Sequence, residues 1–186
     1  IGIVEMGANH LKEIEFLCNI AEPTYGLITN FGKAHLEGFG DVYGVARAKG
    51  EIFYGLDPAG VAIIPADSEY CDYWLRRLEG KKVLQFSSAN PADYAAQSIT
   101  LDNQGCAGFE LICPTGRQFI QLTIPGRHNV VNALAAAACA WAAGVPLAAI
   151  ARGLGAFEPV SGRSRALSLR VAGRPVTLVD DSYNAN

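Results

Sequence analysis

Lys49 is the most informative position in the sequence. It falls seven residues after Val42 and four after Val45, on one helical stripe with Ile52, Phe53 and Leu56, so its ammonium is expected on the core side of a helix. A desolvated lysine loses its proton readily, and the neutral amine can take up carbon dioxide to become a carbamate, an anionic oxygen ligand suited to Mg²⁺. The alternative is a stem that snorkels to the surface. Glu5, followed by Gly7, and His35, in the polar segment from Thr29 to Gly40, are the candidate companions. Both are placed at the carboxyl ends of apolar runs, where parallel sheets bind ligands. Taken alone, either would be an ordinary solvated loop residue.

A second group of polar residues lies in the other half of the chain. Asn129 and Asn132 are three apart at the start of an alanine-rich run, with His128 before them. Amides there can cap the helix or can offer a donor and an acceptor to an adenine edge. Arg163 and Arg165 stand in a loop containing Gly and Ser, either as a solvated face or as a guanidinium fork for a phosphate. Asp180 and Asp181 end a strand-like run, a place from which a carboxylate can accept bonds from ribose hydroxyls.

The elements that must position these groups follow from the apolar pattern. Four short runs, Ile1 to Met6, Gly26 to Asn30, Val61 to Pro65 and Lys82 to Phe86, alternate with segments of helical period, which predicts parallel strands with crossover helices. The first helix carries Leu11, Ile14, Leu17, Cys18 and Ala21, with Asn9 as N-cap and Pro23 just past its end. The second starts after Asp41 as N-cap and carries Lys49; Tyr70 to Leu78 supplies a third. From residue 95 to 125 the runs become short and alternating between Gly, Asn and Asp turns, predicting a small antiparallel meander. Helices over Val130 to Ala143 and Leu147 to Leu154 come next, then a hairpin of Leu167 to Val171 with Pro175 to Val179. The predicted class is therefore α/β, a mainly parallel sheet with flanking helices plus a small antiparallel sheet.

Composition narrows the partners. Of 186 residues, 50% are hydrophobic and 18% charged, which excludes disorder as the main state. A net charge of -3 without a basic run argues against nucleic acid or an anionic membrane surface and leaves small molecules. No apolar stretch reaches the roughly 20 residues of a membrane span. Five scattered cysteines without a C-x-x-C pair fit reduced thiols of a cytoplasmic protein. Because the chain starts within a strand-like run and stops just after a polar cluster, it is read as a fragment of something longer.

With these residues in view, the chain resembles the Mur ligases. The resemblance rests on Glu5-Met6-Gly7-Ala8-Asn9-His10, Thr29-Asn30 with the run from Ala34 to Gly40, the run from Ala46 to Phe53, the run from Gly126 to Ala136, and Asp180-Asp181-Ser182-Tyr183-Asn184-Ala185-Asn186. These stretches occur in the family's order along the whole chain, and they look like the branch that adds a dipeptide rather than the branches that add the first three amino acids. The resemblance implies most of a central ATP-binding domain over residues 1–186, with the meander at 95–125 inside it. It implies ATP-dependent amide ligation in peptidoglycan synthesis: a carboxylate of UDP-N-acetylmuramoyl-tripeptide is phosphorylated, and the amine of D-alanyl-D-alanine attacks the acyl phosphate. It also implies roles: Glu5, His35 and carbamylated Lys49 as the catalytic group holding Mg²⁺, Asn129 and Asn132 at adenine, Arg163 at a phosphate and Asp181 at the ribose. The complete enzyme is expected to be a cytoplasmic monomer. The family's phosphate loop, G-x-x-x-x-G-K-[ST], does not occur in these residues and is expected upstream of Ile1. Another amide ligase of the superfamily, acting on folate or a polypeptide, and a non-catalytic nucleotide-binding module are the alternative readings.

Overall fold

One of the short apolar runs, Val61 to Pro65, is buried on both faces and lies between two parallel neighbours. In the computed structural model, which describes residues 1–30, 39–158, 165–180 and 182–184, the chain divides into two units, Ile1–Asp93 and Tyr94–Asn186. In the first unit, helix α1 (Glu13–Ala21) leads to β1 (Tyr25–Leu27), α2 (Val42–Gly50) with a 3₁₀ turn (Glu51–Phe53), β2 (Val61–Pro65), α3 (Cys71–Arg77) and β3 (Lys82–Ser87). β2 pairs in parallel with β1 (Leu27 opposite Ile63) and with β3 (Ile63 opposite Leu84). All five residues of β2 are buried, as expected of a strand covered on both faces. Ile28, Ala46, Phe53, Leu56, Ala62, Ile64, Trp74 and Leu78 form the core of this unit.

Three expectations for this unit need correction. Ile1 to Met6 is not a strand. A strand exists only through a partner, and no described strand pairs with these residues, so Ile1 (104% exposed), Ile3 and Val4 stand in solvent. The cap of α1 is Lys12 rather than Asn9, and Leu11 lies before the helix. The reason is that Glu13 reaches back and accepts from the Asn9 and His10 amides at 2.7 and 3.1 Å, which holds Asn9 outside the helix. The second run also forms its strand earlier than expected, over Tyr25–Leu27, with Ile28 N adding one bond to Ile63 O at 3.1 Å. Asp41, by contrast, caps α2 as expected, accepting from Gly44 N at 2.7 Å.

The second unit is antiparallel. β4 (Tyr94–Leu101), β5 (Cys106–Cys113) and β6 (Gly116–Pro125) form a meander, followed by α4 (His128–Ala142), α5 (Leu147–Gly155) and a hairpin of β7 (Arg165–Val171) with β8 (Arg174–Asp180). Its strands are longer than the alternation suggested, at eight, eight and ten residues, because β4 continues through a register shift between Gln97 and Thr100, where Ser98 takes φ 53°. The alanine-rich α4 buries Val130, Ala133, Leu134, Ala135, Ala137 and Ala138 and packs on β4 and β5. No helix among the described residues is long and apolar enough to cross a membrane.

Candidate functional site

The last turn of α2 carries Lys49, and two contacts with Trp74 fix that turn. Trp74, fully buried on α3, donates its indole N–H to Ala46 O at 3.0 Å. Gly50 lies against the same ring, where an added Cβ would come within 3.2 Å of it. At the other end of the helix, a Cβ on Gly44 would lie 2.1 Å from Phe39 O, so only glycine lets the incoming backbone pass this closely over α2. Lys49 itself is half-buried, and its burial pushes the ammonium pKa below the usual lysine value. Among the described residues it makes no hydrogen bond or ion pair.

Glu5 is exposed, in the extended segment before α1. Its neighbour Met6 places Sδ 3.7 Å from Cys18 Sγ, which in turn lies 3.8 Å from Ile52 O, just beyond Lys49. His35 lies outside the described residues, as do Arg163 and Asp181. Among the described residues no three His, Cys, Asp or Glu side chains gather as a metal site.

Two groups that the sequence did not single out organise this unit. Glu51, only 4% exposed, accepts from Lys12 N at 2.7 Å and Glu15 N at 3.4 Å, so it caps α1 from 39 residues away. α1 needs this, because its own N-cap residue is Lys12 in the left-handed region (φ 74°) and offers no capping side chain. Such a cap stabilises a helix by about 1 kcal/mol. At the carboxyl ends of β2 and β3, Asp67 accepts from Ser87 Oγ at 2.5 Å, Asn90 Nδ2 at 2.7 Å and Ser88 N at 3.1 Å. Those strand ends are thereby closed by protein groups. Glu51 carried no periodic signal, since it falls off the Val42, Val45, Lys49 stripe.

In the second unit Asn129 is buried and both ends of its amide are used. Nδ2 donates to Pro125 O at 2.8 Å, and Oδ1 accepts from Asn132 Nδ2 at 3.1 Å. Neither side chain is the N-cap of α4, whose cap residue Arg127 makes no side-chain bond. Asn129 instead orients Asn132, which is exposed and whose carbonyl oxygen has no hydrogen-bond partner among the described residues. Gly126 (φ 108°) brings the backbone against the His128 ring, where an added Cβ would sit 2.5 Å from Cε1. At the end of β8, Asp180 Oδ1 accepts from Ser182 N at 3.2 Å and Ser182 Oγ at 2.7 Å.

The Mur ligase middle domain matches residues 1–140, and the chain belongs to that family. It is 43% identical over 185 residues to the UDP-N-acetylmuramoyl-tripeptide--D-alanyl-D-alanine ligase of Escherichia coli, covering 99% of this chain and 40% of that protein. Among solved structures, MurF from Acinetobacter baumannii superposes with a TM-score of 0.89 at 37% identity, covering 98% of this chain and 39% of that one. MurF ligase from Thermotoga maritima in complex with ADP shares the fold, with a TM-score of 0.79 at 24% identity over 97% of this chain and 40% of that one. The chain thus spans about two-fifths of the length of the curated relatives it matches.

Proposed function

We propose that the chain is the ATP-binding middle segment of a cytoplasmic, monomeric ligase that joins D-alanyl-D-alanine to UDP-N-acetylmuramoyl-tripeptide in peptidoglycan synthesis. The relatives of that name at about 40% identity over nearly the whole chain support the substrate class. The observation that carries the chemistry is Lys49, a half-buried amine with no charge partner among the described residues. A carboxylate oxygen of the tripeptide attacks the γ-phosphorus of ATP and ADP leaves; the dipeptide amine then attacks the acyl carbon, losing a proton as phosphate departs. Phosphoryl transfer of this kind rests on positioning and charge neutralisation rather than on covalent help from the protein.

The donor types assigned here suit a hard divalent cation, since an uncharged lysine amine can add carbon dioxide, releasing a proton and leaving an anionic oxygen ligand, and Glu5 offers a carboxylate. Bound Mg²⁺ would neutralise charge on the transferring phosphoryl group. Glu5, His35 and Lys49 are assigned to hold it. Asn132, oriented by Asn129, is assigned to the adenine edge, Arg163 to a phosphate and Asp181 to the ribose.

The test uses the full-length protein that contains this segment. Lys49→Ala should reduce turnover at least about 100-fold, the scale for removing one electrostatic stabiliser, while the melting temperature stays close to that of the parent. Acetate should restore part of the rate, and ¹³C-bicarbonate should label the parent and not the variant. An unchanged rate in Lys49→Ala would rule the assignment out.

A further inference from the structure

Lys49 and the segment carrying Glu5 belong to different elements, and each is 44 residues from the other in sequence. What joins them is the dipeptide that immediately follows the lysine helix. Glu51 takes the amides of Lys12 and Glu15, at 2.7 and 3.4 Å, while Ile52 O lies 3.8 Å from Cys18 Sγ, whose other neighbour is Met6 Sδ at 3.7 Å. The segment from Met6 to Lys12 is therefore tied at its start to Cys18, which also meets Ile52 O, and at its end directly to Glu51. Glu13 fastens the interior of the same loop through the Asn9 and His10 amides and an ion pair with His10 Nδ1 at 3.2 Å. A carboxylate only 4% exposed is costly to bury, and here it serves no other described group. An uncharged cap supplied by the local sequence, such as Ser or Asn in place of Lys12, would satisfy α1 as well without linking it to α2.

We infer that Glu51 is a positioning residue of the proposed reaction, locking the segment after Glu5 to the Lys49 helix so that the two cation ligands assigned above keep a fixed separation. The inference rests on the metal assignment made for Glu5 and Lys49 above. Glu51 does not touch the reacting atoms; it acts through the α1 N-terminus and the loop behind it. Removing such an outer support of a metal site characteristically weakens metal affinity by about 10- to 100-fold.

The test measures binding of Mn²⁺, as a spectroscopic substitute for Mg²⁺, to the full-length protein with a non-hydrolysable ATP analogue, by electron paramagnetic resonance, alongside thermal melting. Glu51→Ala should weaken Mn²⁺ binding about tenfold or more. Glu51→Gln, which keeps one acceptor oxygen and the side-chain volume, should fold and show a smaller loss. Combining Glu51→Gln with Glu5→Gln should be non-additive, because both changes act on the same ligand. If both Glu51 variants melt earlier yet bind Mn²⁺ as the parent does, Glu51 is only a helix cap and the inference is overturned; should the alanine variant not fold, the glutamine variant and the cycle decide. Loss of Mn²⁺ dependence in the parent, or unchanged affinity in Glu5→Gln alone, would instead remove the metal assignment, and the inference would fall with it.

Discussion

The two units hold their candidate residues by different means. In the parallel unit, the turn bearing Lys49 is fixed by Trp74, 28 positions beyond its acceptor Ala46, and the neighbouring Glu51 clamps amides 36 and 39 positions away. In the antiparallel unit, Asn132 is oriented by Asn129, three residues away, and Asn129 by Pro125, four residues away. Parallel strands require crossover connections, so whatever gathers at their ends comes from distant parts of the chain. A helix start after a hairpin strand can build its polar arrangement from one short segment. The first design is vulnerable at remote positions; the second is vulnerable only at the residues themselves.

The largest effect that would expose this contrast is at Trp74. Trp74→Ala removes a fully buried indole and the hydrogen bond to Ala46 O, and should cost about 3–5 kcal/mol of unfolding free energy. Because that bond supports the Lys49 turn, the variant of the full-length protein should also lose ¹³C-bicarbonate labelling at temperatures where it remains folded. Labelling at the parent level in folded Trp74→Ala would show that the turn is fixed locally after all.

Next in size are the asparagines. Asn132→Ala should raise the Michaelis constant for ATP by the equivalent of about 1–3 kcal/mol with little change in melting temperature, since its carbonyl is not used inside the described fold. Asn129→Ala should do both: it frees Asn132 and leaves Pro125 O without its donor, so melting should fall together with ATP binding. A variant of Asn132 that melts early while keeping the parent's ATP dependence would return this residue to a structural role.

The smallest expected effect is at Cys139 on α4. Burial pushes its thiol up to about 11, so the folded state disfavours the thiolate. With the folded value raised above that of the unfolded thiol, about 8.5, this contribution to stability is fully present below that range and is lost as pH rises through it toward the folded value. Urea midpoints measured from pH 7 to 10 should decline less in Cys139→Ala than in the parent, and the native thiol should react slowly with iodoacetamide at pH 8. Equal declines in the two proteins would show that this thiol does not feel its burial.

Much of the architecture was legible from periodicity and local chemistry. β2 matches the Val61 to Pro65 run, Asp41 caps α2 as its position before the apolar stripe required, and the β7–β8 hairpin encloses the expected pair of runs. Lys49 could be picked out because its stripe is periodic within one helix, and its half-burial and lowered pKa agree with that reading. Ile1 to Met6 misled because an apolar run states a preference for burial but not the presence of a partner strand.

What the sequence by itself determined, then, was most of the elements and the helices that carry Lys49, Asn129 and Asn132, because these depend on interactions within a few positions along the chain. The Glu51 cap on α1, the Trp74 bond to Ala46 and the Met6, Cys18 and Ile52 contact were decided only by tertiary structure. Each joins residues 12 to 39 positions apart. A hydrogen bond over such a separation leaves no period in the sequence, since the donor and acceptor meet only after the sheet and its crossover helices have packed.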